Sequence, residues 1–297
     1  MDPNAALTTT DEITDHMVRT KVTCPFLGSV VHQKFLAVRG DAGNPLAGIE
    51  DVRRLGNSGG GDLGDLLVIF ASGNHALMRG EDGKLNKKVP IGFFSLELPG
   101  SQGSHPGHSG ILQGDPETLG SGRVSEADFD RLARRAKHDF IKRSDVGRFI
   151  AENLLKDPKS KVFGLDVAEL LARDLGVLVE TIGRTIGARL LDSTDDAAAA
   201  QRLAEEKLTK LLGEDNLVGS CGEYGLLFAL LINKPGSNEL DGEPALSLED
   251  LRRMFLDMML PAGWDTWKKR RVDWTLHTTG LLVIAAKEYH AKVRNAS

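Results

Sequence analysis

From Ser125 to the C-terminus, apolar residues return every three or four positions, and this spacing constrains the fold more than any other feature of the chain. Side chains at such intervals share one face of a 3.6-residue helix, whereas a half-buried strand needs strict alternation. Phe129, Leu132, Ala133 and Ala136 follow Ser125-Glu126-Ala127-Asp128, a capping residue with an acidic first turn. Ser144 opens a second helix with Val146, Phe149, Ile150 and Leu154 on its stripe and Pro158 beyond its end. Further helices are expected over about 166–175, 177–190, 195–212, 222–233, 247–260 and 272–293. Upstream, Asp62 is expected to cap a helix reaching about Met78, with Leu63, Leu66, Leu67, Phe70 and Leu77 on its apolar face. Residues 79–124 are rich in Gly, Pro, Ser and His and have little periodicity. That stretch reads as irregular, with room for one hairpin in 84–98. There is no internal repeat, no heptad pattern and no βαβ alternation. The expected fold is therefore mainly α: a single helical domain of about eight to ten helices over 21–297, preceded by a polar arm at 1–20.

Composition agrees with that fold and removes several function classes. Aromatic residues make up only 5% of the chain, too few for sheets built on aromatic and β-branched pairs. The net charge of -5 argues against a nucleic-acid partner. The densest basic run, Lys268-Lys269-Arg270-Arg271, reads as a solvated helix end. Met1 to Thr20 lacks the apolar centre of a signal peptide, and the apolar run Gly280 to Ala286 is too short to span a bilayer. With two cysteines and no such segments, the chain reads as cytoplasmic, with reduced thiols and no membrane partner.

Three segments could carry chemistry. The first is Cys24-Pro25-Phe26-Leu27-Gly28, followed by His32. A lone cysteine is most often a small buried hydrophobe. Pro25 at a first helical position, however, would leave Cys24 at a helix N-terminus, where the dipole favours a thiolate able to ligate iron. The second segment, Lys137-His138-Asp139 through Lys142-Arg143-Ser144-Asp145, reads either as a charged turn or as part of a site. The third is Cys221-Gly222-Glu223-Tyr224-Gly225, which leads into Leu226-Leu227-Phe228-Ala229-Leu230-Leu231-Ile232. Glu223 at the start of that apolar helix could simply answer the dipole, or could serve as a general acid-base whose pKa burial lifts towards neutrality.

In order and spacing these segments resemble the haem-thiolate peroxidases, the family of fungal chloroperoxidase and the unspecific peroxygenases. In that family a Cys-Pro near the N-terminus supplies the iron ligand, with a histidine a few residues on. A Glu-His-Asp or Glu-Gly-Asp then precedes a Ser/Thr-Arg-x-Asp, and a distal Glu opens a later apolar helix. Cys24-Pro25, His32, Lys137-His138-Asp139 with Arg143-Ser144-Asp145, and Glu223, which lies 85 residues after His138, take those places. Leu246 to Phe255, then Leu260-Pro261-Ala262-Gly263-Trp264, also resemble the family's C-terminal part. A rival placement sets His108 to Asp115 on the Glu-Gly-Asp motif but leaves a longer gap to Glu223. The resemblance implies a helical fold around a pocket for haem b, with Cys24 as the axial ligand. Pro25, His32, Lys137 and Asp139 would lie against the cofactor, Glu223 would be the distal acid-base, and His138 would orient it. The implied partners are hydrogen peroxide and a small organic substrate. Two departures stand out: Thr23 replaces the family's Pro before the Cys, and Lys137 replaces a metal-binding Glu. An ammonium offers only donors, so no separate magnesium or manganese is expected. The competing reading is a non-catalytic helical module that binds haem or a small ligand. A third takes His32, His75, His105 or His108 as metal or haem ligands.

Overall fold

The computed structural model describes residues 22, 24–41, 44–75, 93–96, 125–156, 162–174, 217–236 and 239–296. Outside these residues lie the N-terminal arm, the helices expected at 177–190 and 195–212, Leu77, His105, His108 and Pro158. Among the described residues the chain forms nine α-helices and two small sheets, so it is mainly helical. The elements are α1 (Pro25–His32), β1 (Val38–Asp41), β2 (Asn44–Gly48), α2 (Ile49–Gly56), α3 (Gly64–His75), β3 (Phe93–Ser95), α4 (Glu126–Ala133) and β4 (Phe140–Lys142). They continue with α5 (Arg143–Lys156), α6 (165–174), α7 (Leu217–Leu231), β5 (Glu239–Leu240), β6 (Glu243–Ser247), α8 (Leu248–Phe255) and α9 (Arg271–Ala296).

The local signals for helix starts mostly held. The Ser125 hydroxyl accepts from the Asp128 amide, and Ser247 does the same for Asp250. Phe129 and Leu132 in α4, and Val146, Phe149, Ile150 and Leu154 in α5, are buried as their spacing requires. The α5 helix is capped from outside: Glu243 on β6 accepts from both the amide and the hydroxyl of Ser144. Asp62 does not cap the helix that follows it. Its carboxylate accepts from the Arg271 amide at the start of α9, while Asn57 accepts from the Gly64 amide at the start of α3. The strand from the irregular stretch, β3, joins β1 and β2 in an antiparallel sheet ordered β1-β2-β3, with Leu46 opposite Ser95. The second sheet runs β4-β6-β5, with Ile141 opposite Leu246.

The core is the seam where α7 and α5 pack against α9. Gly225 of α7 permits close approach: a Cβ there would stand 1.9 Å from the Thr278 hydroxyl and 3.0 Å from its Cα. Trp274 reaches from α9 to donate to Gly222 O, and His277 stacks on Phe228 at 4.8 Å between ring centroids. The basic run before α9 departs from the sequence reading. Lys269 is fully buried, its ammonium 4.3 and 4.5 Å from the Trp264 and Trp267 ring centres, donating to the carbonyls of both tryptophans. Carbonyls and indole faces replace water around it, and burial lowers its pKa only to about 8. Room for this packing comes from the glycine turn at 58–61. Gly59, at φ +67, lies so close to Trp267 O that a Cβ would be 2.2 Å from it. Among the described residues no helix is long and apolar enough to cross a membrane.

Candidate functional site

Cys24 is the N-cap of α1, with extended backbone, and Pro25 fills the first helical position, where its missing N–H costs nothing. The Cys24 carbonyl accepts from the Gly28 amide and so starts the helix. No side-chain cap bond is closed, yet the Leu27 and Phe26 amides act on the sulfur and pull its pKa down. They are outweighed. Burial among apolar atoms pushes the thiol up to about 12, and the nearby Glu223 carboxylate adds to the rise. In this state Cys24 is a protonated thiol.

Cys24 and Glu223 line one cleft together. Cys24, Pro25, Phe26 and Leu27 come from α1, and Leu67 and Phe70 from α3. Glu223, Tyr224, Leu226, Leu227 and Leu230 come from α7, and Met254 and Phe255 from α8. The cleft holds about 660 Å³ of empty space, part of it open to solvent, and its walls are almost entirely hydrocarbon. α1 packs against α8 beside the cleft. Ser29, fully buried, donates to Pro25 O at 2.7 Å and reaches Met254 O at 3.4 Å. Glu223 is not at a helix start: α7 already runs from Leu217, so the carboxylate sits well inside the helix and does not answer its dipole.

The remaining candidates lie elsewhere. His32 is at the far end of α1, about 12 Å along the axis from Cys24 at the helical rise. Its Nδ1 is 3.0 Å from Met258 O and ties α1 to the segment after α8. Lys137 and Phe140 exchange backbone hydrogen bonds, 2.9 and 3.0 Å, around a tight turn with His138 and Asp139 at φ 51 and 62. Positive φ at both central positions is the backbone of a mirror-image hairpin turn, and Lys137, His138 and Asp139 are exposed on it. Lys137 joins Lys142 in gripping Asp241, at 2.9 and 2.7 Å, and the two ammoniums hold that carboxyl down at about 2. None of the three lines the cleft, so the expected part for His138 in orienting Glu223 is not met by this arrangement. Among the described residues no group of three or more His, Cys, Asp or Glu is placed to hold a metal ion.

Sequence reasoning missed the residues that complete the cleft: Leu67 and Phe70 on α3, Tyr224 on α7, and Met254 and Phe255 on α8. Apolar periodicity marked Leu67 and Phe70 as buried but not as neighbours of Cys24. No protein-family model, curated protein or solved structure matches the chain.

Proposed function

We propose that the chain is a haem-thiolate peroxidase or peroxygenase, with Cys24 as the axial ligand of haem b and Glu223 as the acid-base that handles peroxide protons. One observation carries the reading: Cys24 and Glu223, distant in sequence, face the same apolar cleft. The lining supports it chemically, a thiol and a carboxylate on otherwise mostly apolar walls. The Cys24 thiol, held protonated by burial, would lose its proton on coordinating a metal, and the two amides acting on its sulfur would favour the thiolate then formed. Haem iron held by the Cys24 thiolate would supply O–O bond cleavage and oxidising power. The protein supplies the rest. Cys24 holds the group from α1. Glu223 takes a proton from one oxygen of hydrogen peroxide and returns it to the leaving oxygen. Leu226, Leu227, Leu230 and Phe70 give the site apolar walls against which a small organic substrate would pack.

The test is spectroscopic. Full-length protein loaded with haemin, reduced and exposed to carbon monoxide, should give a Soret band far to the red of a histidine-ligated haem. Cys24→Ala should abolish that band and Cys221→Ser, deep in α7, should keep it. A red-shifted band that survives Cys24→Ala refutes the reading. The exposed position of His138 favours, as second reading, a non-catalytic haem- or small-ligand-binding module. Haem loading without peroxide turnover would select it.

A further inference from the structure

Every residue of α7 is buried except Glu223, and Glu223 lines the cleft. On α1 the pattern repeats: Pro25 to Val31 are buried, and the half-buried Cys24 stands at the end that lines the cleft. Solvent thus meets the cleft at Glu223 and Cys24, while Leu67, Phe70 and Leu230, nearly closed to solvent, form its apolar interior. Among the described residues that line it there is no Lys, Arg or His, and Cys24 is a neutral thiol. Glu223 is the charged side chain among them. After burial, its charge is among the causes that raise the pKa of both Cys24 and Tyr224, so its field reaches the cleft's own walls. A carboxylate beside hydrocarbon is poorly hydrated, so a cation brought to it gains more than it would in water. An anion meets like charge there, and a neutral molecule gains only the burial of its body.

We propose that the cleft's substrate is a small organic cation: a primary or secondary ammonium whose hydrocarbon body lies against Leu67, Phe70 and Leu230 and whose charged nitrogen is held at Glu223. This rests on the reading of the cleft as a substrate site but not on the iron, and the two can fail separately. A carboxylate has two oxygens, so one can hold the ammonium while the other handles a proton of peroxide.

Phenylpropylamine, phenylpropanol and phenylpropionate share one hydrocarbon body and differ in charge. They are titrated calorimetrically at neutral pH into the purified full chain and into Glu223→Gln. The amine should bind the wild type about tenfold more tightly than the alcohol, the size of one charge-assisted hydrogen bond in a half-open site, and the acid more weakly than the alcohol. Glu223→Gln should bring amine and alcohol within about twofold of each other and leave alcohol affinity within about twofold of the wild type, because the shape and the walls remain. Equal affinity for amine and alcohol in the wild type, a preference for the acid, an amine advantage that survives Glu223→Gln, or no binding of any probe overturns the proposal. If circular dichroism shows that Glu223→Gln does not fold, the wild-type ranking of the three probes decides alone. Haemin loading of both proteins is read separately: a missing Soret band defeats the haem reading and leaves the titration result standing.

Discussion

Gly225→Ala sets two effects of opposite sign against each other at the centre of the core. Within an exposed helix the change would stabilise by about 1 kcal/mol, because alanine is the better helix former. Here the new Cβ would stand 1.9 Å from the Thr278 hydroxyl, 2.9 Å from its Cβ and 3.0 Å from its Cα. Ordinary contact begins near 3.4 Å, so the worst pair must part by about 1.5 Å. Thr278 is β-branched and has few rotamers in a helix, and its backbone is also too close, so no rotation clears the clash. The α9 helix must therefore withdraw from α7, disturbing the Trp274–Gly222 bond and the His277–Phe228 stack. Overpacking of this kind costs roughly 1–3 kcal/mol, occasionally more. The net expectation is a loss of about 1–2 kcal/mol in urea unfolding followed by far-UV circular dichroism. Thr278→Ala, whose hydroxyl has no partner, removes the closest contact and should recover part of that loss in the double variant. If Gly225→Ala is as stable as the wild type or more so, helix propensity governs the site and the tight seam does not exist. The seam matters for function because α7 carries Glu223 and Tyr224 into the cleft.

Stability should fall in mild acid because of His277. Burial, followed by the charge of Arg143, holds its folded pKa at about 4, with Asp273 opposing. The unfolded histidine, near 6.5, therefore takes up a proton first. Stability is full above about pH 6.5 and declines by about 3 kcal/mol towards pH 4. His277→Gln should flatten that part of a urea-midpoint profile, and an unaltered slope would place the effect in other groups. Lys137→Ala and His138→Ala should each change stability by less than about 1 kcal/mol and leave haem loading and peroxide turnover intact, since both side chains are exposed outside the cleft. A large loss of turnover from His138→Ala would restore it to the site. Glu223→Gln should keep the Soret band and slow the reaction with peroxide by about 10²–10⁴-fold in stopped-flow traces, the usual share of a general acid-base. A wild-type rate would make Glu223 structural.

The sequence by itself determined several of the helices and some of their ends, though not α2. Their apolar stripes and the cap Ser125 are satisfied within a few residues, so local pattern is enough to read them. It also singled out Cys24-Pro25 as a helix start, but set Glu223 at the start of an apolar helix that in fact already runs from Leu217. What it could not determine were relations between distant segments. Asp62 looks like a local cap, but its partner is an amide 209 residues away. Lys269 looks solvated, and only the fold closes Trp264 and Trp267 over it. Lys137-His138-Asp139 looks like a site because of its order in the chain, and a turn with positive φ turns it out to solvent. The meeting of Cys24 with Glu223 was also decided by tertiary structure, through the packing of α1, α3, α7 and α8. Hydrophobic periodicity records which face of a helix is buried. Because the hydrophobic effect has no direction, that periodicity does not record which helix covers the face.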